Sequence, residues 1–284
     1  MNDLNASLNA YRPDLADARL QGRVSAVRFV EPVSRQVVVA VADLRRAPRP
    51  DSPVDTQVLY GEIVDMFEEV EGWCWVQVRG DKYVGYVADT ALTARINAPT
   101  HIITAPRTFL YPGPDMKLPV EAALSMGSMM SISGEAETRG TRYLQLANGG
   151  AIIAQHTMPL TGTLRDPVHI AERLLNTPYL WGGRSGHGID CSGLVQLSHA
   201  FCGISLQRDT SMQMNSAGIE IDEERLRRGD LVFWKGHVAM MQDEKTIIHA
   251  SGHAMAVVSE DYAEAVKRIG HLYGLPTGFR RVVT

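Results

Sequence analysis

The sequence predicts an α+β protein in which two small all-β modules precede a domain of helices and strands. Three observations support this fold class. The chain has 284 residues, a length that suits two or three domains. Short runs rich in Val, Tyr and Trp, separated by turn-forming residues, recur between residues 36 and 161. From about residue 162 the pattern changes to helical spacing, a glycine-rich loop, a second helix and further strands.

The N-terminal half divides into an arm and two β modules. We interpret residues 1–35 as an arm, with a short helix after Pro13 indicated by Leu15, Ala16, Ala18 and Leu20. Residues 36–98 form the first module, with strands in VVVAVADL, TQVLYGEIVDMF, GWCWVQVRG and KYVGYVAD. A break at Ala98–Pro99 precedes the second module, residues 99–161, with strands in RTFLYPGPD, SMMSISGE, RYLQLANGG and AIIAQHTM.

Residues 162–284 form the third predicted domain. Its first helix lies in PVHIAERLLN, where apolar residues recur at near-helical spacing. The glycine-rich loop YLWGGRSGHGIDCSG leads into a second helix, which we expect to run from Cys191 to about Gly203. Strands follow in DLVFW, HVAMM and TIIHAS, and complete an α+β layout.

The composition excludes two classes of function. A net charge of −4 with 21% charged residues does not match the basic surface of a nucleic-acid-binding protein. The sequence contains no apolar run of about 18 residues, so we expect no membrane insertion. The N-terminus has no basic region followed by an apolar one, and the three cysteines show no disulfide-framework spacing. We therefore expect a cytoplasmic protein, and the sequence does not specify an oligomeric state.

Cys191 is the first candidate for chemistry. Asp190 is a good N-cap, and Leu194, Leu197 and Phe201 continue a helix from Cys191. The helix N-terminus favours a thiolate, and its free N–H groups can stabilise an oxyanion once the sulfur attacks a carbonyl. Taken alone, the residue fits a buried small apolar side chain better, because that is what most cysteines are.

His237 and His249 are candidate partners. His237 begins the predicted strand HVAMM, and His249 lies within the next predicted strand, TIIHAS. A two-residue loop at Asp243–Glu244 would place the two histidines on opposite faces of the hairpin. A loop of odd length centred on Asp243 would place them side by side, so a shared role requires a three- or five-residue turn. Side by side, His237 would act as base to Cys191, and His249 would hold its second ring nitrogen.

The segments PYLWGGRSGHGIDCSGLVQ, GISLQRDTSMQ, RRGDLVFW, HVAMM and IIHASG resemble the successive motifs of the NlpC/P60 family, over roughly residues 165–284. The resemblance implies a papain-like core with Cys191 as nucleophile, His237 as base and His249 as the third, orienting residue. It also implies that Tyr179 lies near the oxyanion. The usual reaction of the family is cleavage between γ-D-glutamate and a diamino acid in peptidoglycan stem peptides.

The two β modules resemble bacterial SH3 domains, and LYGE, GWCWVQV and KYVGYV resemble the first of these in muropeptide-recycling members of the family. The resemblance implies a site for the free amino group of an N-terminal L-Ala, formed by Glu62, Tyr83, Asp190 and Ser192. Carboxylates and other acceptors suit a desolvated ammonium. Thr210 and Ser211 are further polar candidates for substrate binding. The implied substrate is L-Ala-γ-D-Glu-diamino acid.

No cofactor and no metal is expected. His249 and His253 flank Ser-Gly, and neither a cysteine nor a carboxylate cluster joins them in the sequence. Three alternatives to a recycling peptidase remain open: an exported hydrolase of intact cell wall, an acyltransferase or amidase of the same fold, and a non-catalytic wall-binding protein.

Overall fold

The computed structural model describes residues 4–283, and the chain forms two compact units that divide between Leu160 and Thr161. The first unit is almost entirely β-structure. Its strands are β1 (Leu15–Asp17), β2 (Arg28–Val30), β3 (Val33–Val37), β4 (Val41–Arg45), β5 (Val54–Leu59), β6 (Ile63–Val70), β7 (Trp73–Val78), β8 (Val84–Ala88), β9 (Leu92–Thr93), β10 (His101–Ile103), β11 (Arg107–Leu110), β12 (Ala122–Ser125), β13 (Met129–Met130), β14 (Ile132–Thr138), β15 (Thr141–Leu146), β16 (Ala151–Ile153) and β17 (Thr157–Pro159).

The first β module is one antiparallel sheet with the strand order β5-β4-β8-β7-β6-β3-β9. The turn between β6 and β7 uses Glu71 and Gly72 at positive φ, a conformation that suits a tight hairpin. The second module consists of small sheets that pair β10 with β13 and β17, β11 with β12, and β15 with β14 and β16. Tyr60 joins the buried cluster of this second module, so the two modules share apolar packing within the first unit.

The N-terminal segment differs from the short helix that we expected. Residues Leu15–Asp17 form strand β1, which pairs in parallel with β2, and only a single 3-10 turn follows at Ala18–Leu20. The helix prediction is wrong because tertiary packing decides this segment. Leu15, 1% exposed, is buried against Phe67 and Trp75 of the first module.

The second unit combines four helices with a six-stranded antiparallel sheet in the order β20-β25-β21-β22-β23-β24, within the described residues 161–283. Its elements are α1 (Pro167–Glu172), β18 (Arg184–Ser185), β19 (Gly188–Ile189), α2 (Cys191–Ala200), α3 (Thr210–Ser216), β20 (Ile219–Glu220), β21 (Leu231–Trp234), β22 (His237–Met241), β23 (Thr246–Ser251), β24 (Ala256–Asp261), α4 (Tyr262–Tyr273) and β25 (Gly278–Arg281). This mixed architecture confirms the α+β fold class.

Helix α4 covers one face of this sheet. Its buried residues Ala265 and Ile269 pack with Trp234, Ala239 and Met241. Asp261 caps the helix by accepting a hydrogen bond from the Glu264 N–H at 3.1 Å. None of the helices within residues 4–283 has the length and apolar character needed to cross a membrane.

Candidate active site

Cys191 lies in the first turn of α2, as expected, and is 5% exposed. The Asp190 carboxylate accepts a hydrogen bond from the Gly193 N–H at 2.7 Å and so caps the helix. Gly193 fits this position because a Cβ there would lie 2.4 Å from the Gly183 carbonyl oxygen. The glycine-rich loop can therefore approach the helix closely enough to fix the backbone around the cysteine.

The sulfur of Cys191 is in contact with two other elements of the second unit. The Thr210 hydroxyl, at the start of α3, lies 3.9 Å from Sγ. The backbone N–H of Val238 is within hydrogen-bonding reach of the sulfur. Because Val238 directly follows His237 in β22, this contact brings the candidate base and the candidate nucleophile to the same place.

The thiol is neutral in this environment. Burial, and then the negative charge of Asp190, raise the pKa of Cys191 to about 11. The helix N-terminus that we expected to favour a thiolate is present, and the hydrogen bonds from Val238 and Thr210 lower the pKa, but less than burial and Asp190 raise it. A neutral thiol needs a base to take its proton as the sulfur attacks.

His237 and His249 form the expected pair. Nε2 of His237 and Nδ1 of His249 are 2.7 Å apart, and the two rings meet edge to face with centroids 4.9 Å apart. The register pairs Met240 with Ile248 and Met241 with Ile247, so the turn between β22 and β23 has three residues, 243–245. An odd turn length is confirmed.

The centre of that turn is Glu244, and our placement at Asp243 is wrong by one residue. The histidines are therefore diagonal neighbours on one face of the sheet instead of directly opposite partners. Long side chains span such a diagonal. The hydrogen bond forms because both side chains reach along the strands toward each other.

Two residues that the sequence did not reveal extend this pair. Nε2 of His249 lies 2.6 Å from Oε1 of Glu260, in β24, and the guanidinium of Arg268, in α4, binds the same oxygen. Glu260 pairs with Ile247 across the ladder, so it too is a diagonal neighbour of His249. The signal that could have revealed it was the run AVVSED, whose two adjacent valines favour a fourth strand beside TIIHAS.

The base is neutral as well. Burial first, and then the neighbouring His249 and the positive charge of Arg268, lower the pKa of His237 to about 3, against the opposing charge of Glu260. An imidazole that is neutral at physiological pH can accept a proton. Since His249 occupies Nε2 of His237, the nitrogen that would take the thiol proton is Nδ1.

Asp190 and Ser192, two predicted substrate ligands, form a buried network with Arg208. The guanidinium of Arg208 donates to both oxygens of Asp190, at 3.0 and 2.6 Å, and to the Ser192 hydroxyl at 2.8 Å. The second carboxylate oxygen also accepts from the Gly182 N–H at 2.9 Å. Together with the helix cap, these contacts give both oxygens of the Asp190 carboxylate hydrogen-bond donors. Asp190 therefore holds the glycine-rich loop, the start of α2 and Arg208 in place.

Tyr179 lies beside the nucleophile. Its backbone forms a bridge to Ile189 and donates to the Met255 carbonyl at 2.9 Å. Burial first, and then the neighbouring Cys191 and Asp190, raise the pKa of the Tyr179 phenol, which therefore stays protonated as a hydrogen-bond donor. Ser211, in contrast to Thr210, is exposed on α3.

Glu62 and Tyr83, the other predicted ligands, belong to the first unit. Both are 5% exposed. Oε2 of Glu62 accepts a hydrogen bond from the Leu59 N–H at 2.7 Å, which closes the turn before β6. Tyr83 directly precedes β8, and its carbonyl accepts from Val78, which pairs with Val64 in β6. The two residues therefore lie at the same end of the sheet, on either side of β7.

The second unit thus combines the parts of a nucleophilic catalyst. A thiol at a helix N-terminus lies beside the strand that carries a neutral imidazole, and a second imidazole and a carboxylate orient the first. An α-helix leaves the N–H groups of its first turn without intrahelical partners. Those of Cys191 and Ser192, together with the phenol of Tyr179, are candidates for stabilising an oxyanion.

Comparison with known proteins identifies two domain families and several relatives. The NlpC/P60 family model matches residues 176–269, and the model of the bacterial dipeptidyl-peptidase Sh3 domain matches residues 44–92. Dipeptidyl-peptidase 6 of Lysinibacillus sphaericus is 29% identical over 268 residues, 84% of this chain and 98% of the relative. The γ-D-glutamyl-L-lysine dipeptidyl-peptidase of Bacillus cereus is 28% identical over 225 residues, 69% of this chain and 67% of the relative.

The fold has a counterpart among solved structures. The crystal structure of an NlpC/P60 family protein from Bacillus cereus has a TM-score of 0.75 and 23% sequence identity, and the match covers 88% of this chain and all of that one, 100%. This similarity shows the fold, while the family matches and named relatives identify the domains. The chain therefore contains an NlpC/P60 domain, of a peptidase family, and a bacterial SH3 domain on its N-terminal side.

Proposed function

We propose that the chain is a cysteine endopeptidase that hydrolyses the γ-D-glutamyl–diamino acid bond of peptidoglycan-derived peptides. The observation that carries the proposal is the arrangement around Cys191, whose sulfur meets the N–H next to His237, while His237 and His249 are 2.7 Å apart. Relatives named γ-D-glutamyl-L-lysine dipeptidyl-peptidase support this bond as the target. We further propose that the peptides carry a free N-terminal L-Ala and arise in cytoplasmic murein recycling.

Catalysis begins with transfer of the thiol proton of Cys191 to Nδ1 of His237 as the sulfur attacks the γ-carbonyl carbon of the glutamyl residue. Negative charge then develops on the carbonyl oxygen, where the first-turn N–H groups of α2 and the Tyr179 phenol stabilise it. The imidazolium of His237 returns the proton to the departing amine. Water, deprotonated by the same imidazole, hydrolyses the thioester and regenerates the thiol.

Recognition of a free amine requires acceptors and negative charge at the end of the substrate. Glu62, Tyr83, Asp190 and Ser192 remain our proposed ligands. We add a further carboxylate, Asp209, as a candidate for contact with the ammonium. Asp209 directly precedes Thr210 in the chain, and the hydroxyl of Thr210 lies 3.9 Å from the nucleophilic sulfur.

The test is a cleavage assay with four peptides: L-Ala-γ-D-Glu-L-Lys, its diaminopimelate counterpart, and the N-acetylated form of each. Wild type is compared with Cys191→Ala, and the released dipeptide is identified by mass spectrometry. We expect wild type to cleave the free-amine peptides between glutamate and the diamino acid. The rate for Cys191→Ala should fall by more than about 10³-fold.

The assay separates the proposal from its rivals. Equal cleavage of free and acetylated peptides would overturn the amine requirement and favour a hydrolase of intact cell wall. Transfer of the glutamyl group to an added amine without hydrolysis would favour an acyltransferase. Failure to cleave any of the four peptides, by protein with a native circular dichroism spectrum, would overturn the proposed substrate class.

A further inference from the structure

The hydrogen-bond chain that starts at His237 continues beyond His249. Nε2 of His249 lies 2.6 Å from Oε1 of Glu260, and the side chain of His249 is only 1% exposed. Arg268 binds the same carboxylate oxygen from α4. Four side chains from three strands and one helix therefore form one continuous line that ends in an ion pair.

The ion pair determines which atoms carry protons along this line. Burial opposes the charge of Glu260, but the hydrogen bond from His249 and the positive charge of Arg268 lower the pKa of its carboxyl. The carboxylate is therefore ionised and can only accept hydrogen bonds, so the proton of His249 must lie on Nε2. When its ring carries this one N–H, Nδ1 of His249 has a free lone pair and is an acceptor.

The same reasoning carries the assignment one residue further. Because Nδ1 of His249 accepts, Nε2 of His237, 2.7 Å away, must donate. Nδ1 of His237 is then unprotonated, and its lone pair can accept the proton of the Cys191 thiol. In the opposite tautomer, Nδ1 would already carry the proton and would have no lone pair with which to accept the thiol proton.

We propose that Glu260, held in place by Arg268, is a positioning residue that fixes the tautomers of His249 and His237 so that Nδ1 of His237 acts as the base. This inference rests on the proposed roles of Cys191 and His237. When Nδ1 takes the thiol proton, the positive charge of the imidazolium is shared along the line toward the Glu260 carboxylate. Glu260 thus favours both the competent resting tautomer and the charged state that follows.

The experiment compares Glu260→Leu, which removes the acceptor, with Glu260→Gln, which keeps it. Leucine suits a half-buried strand position opposite Ile247. In the glutamine variant the amide oxygen must face His249 and Arg268, since both donate to that one atom. Glu264→Leu, at an exposed position on α4, is the matched control.

Two readouts are needed. Long-range ¹H–¹⁵N spectra of histidine-labelled protein report which ring nitrogen is protonated, and His237→Asn and His249→Asn variants assign the signals. We expect wild type and Glu260→Gln to show His237 protonated at Nε2 alone, and Glu260→Leu to show a mixture. Steady-state kinetics should show kcat falling on the order of 10- to 100-fold in Glu260→Leu with KM unchanged, a smaller loss in Glu260→Gln and none in Glu264→Leu.

Each outcome decides the proposal. Wild-type tautomer signals in Glu260→Leu would overturn it, whatever the rates. Equal losses of kcat in the leucine and glutamine variants would show that negative charge alone matters, and would also overturn the tautomer role. If Glu260→Leu does not fold, Glu260→Ala provides the same comparison, because a water there can donate as well as accept. The spectra require no turnover, so failure of the cleavage assay leaves this test independent.

Discussion

Arg208 binds both carboxylate oxygens of Asp190 in an ion pair that is almost completely buried, with Arg208 1% and Asp190 7% exposed. The same carboxylate caps α2 at the Gly193 N–H and accepts from Gly182 in the glycine-rich loop. The pair therefore joins three segments around Cys191: the loop before it, the first turn of its helix, and the segment that leads into α3.

Replacing Arg208 by methionine should destabilise the protein by about 3–5 kcal/mol, because it leaves the Asp190 charge buried without its partner. Urea unfolding at neutral pH measures the change. Arg173→Met, at an exposed position of the same unit, is the control and should cost less than about 0.5 kcal/mol. The double variant Arg208→Met/Asp190→Asn should recover part of the loss, since asparagine still caps the helix without a charge. No recovery in the double variant would show that burial of the charge is not the cause.

The neutral state of the thiol predicts how Cys191 reacts with iodoacetamide. With the pKa of Cys191 at about 11 and that of His237 at about 3, neither group is charged near neutral pH. Because the thiolate is the reactive form, alkylation should increase about tenfold per pH unit from about pH 6 to about pH 10. Peptide mass spectrometry distinguishes Cys191 from Cys74 and Cys202, and Cys191→Ala provides the blank. A rate that is already constant at about pH 6 would instead indicate a preformed thiolate–imidazolium pair.

The sequence was sufficient to predict the fold class. It was also sufficient to predict the positions of Cys191, His237 and His249 in their elements, because these follow from local spacing. Cys191 follows a capping aspartate at the start of an amphipathic run, and the spacing between His237 and His249 means that a shared role requires a turn of odd length. Side-chain period determines the face of a strand, whereas turn conformation determines the register, so the one-residue error at the turn centre was not avoidable from periodicity. Which residues of the two strands pair with one another depends on the conformation of the turn in the folded protein.

Glu260 and Arg208 were not predicted because their roles depend on contacts distant in the chain. Glu260 meets His249 only when β24 pairs with β23, and a single glutamate in the run AVVSED looks like a solvated strand residue. An arginine is usually exposed, so nothing in the segment GISLQRDTSMQ indicates that Arg208 is buried beside Asp190. The segment before β2 shows the same limit, since burial of Leu15 against Trp75 overrides its local helical pattern.

Because His199 is buried, we expect the free energy of unfolding to decrease as the pH falls. Burial lowers its pKa to about 4 from an ordinary value of 6.5, while Nδ1 donates to the Val195 carbonyl at 2.8 Å. Between these values the unfolded chain binds the extra proton, so stability falls as the pH drops from 6.5 toward 4. The contribution of His199 to this loss is roughly 3 kcal/mol.

The comparison of His199→Leu with wild type isolates this effect, because carboxylates and His237 contribute equally to the acid response of both. Urea unfolding at about pH 7 and about pH 4.5 should show a smaller loss on acidification in the variant. His169→Leu, an exposed histidine on α1, should behave as wild type. Equal losses in all three proteins would contradict a neutral, buried His199.

Amine recognition gives the last prediction, which concerns Asp209. If its carboxylate contacts the ammonium of the substrate, Asp209→Asn should raise KM for the free-amine peptide on the order of 10- to 100-fold, because a charge-assisted hydrogen bond is lost. Cleavage of the acetylated peptide should not change, so the ratio of kcat/KM for the free-amine peptide to kcat/KM for the acetylated peptide should decrease. Asp222→Asn removes an exposed charge from the same unit and serves as the control. If this ratio is unchanged in Asp209→Asn and falls to one in Glu62→Gln, then Glu62, and not Asp209, is the carboxylate that contacts the ammonium.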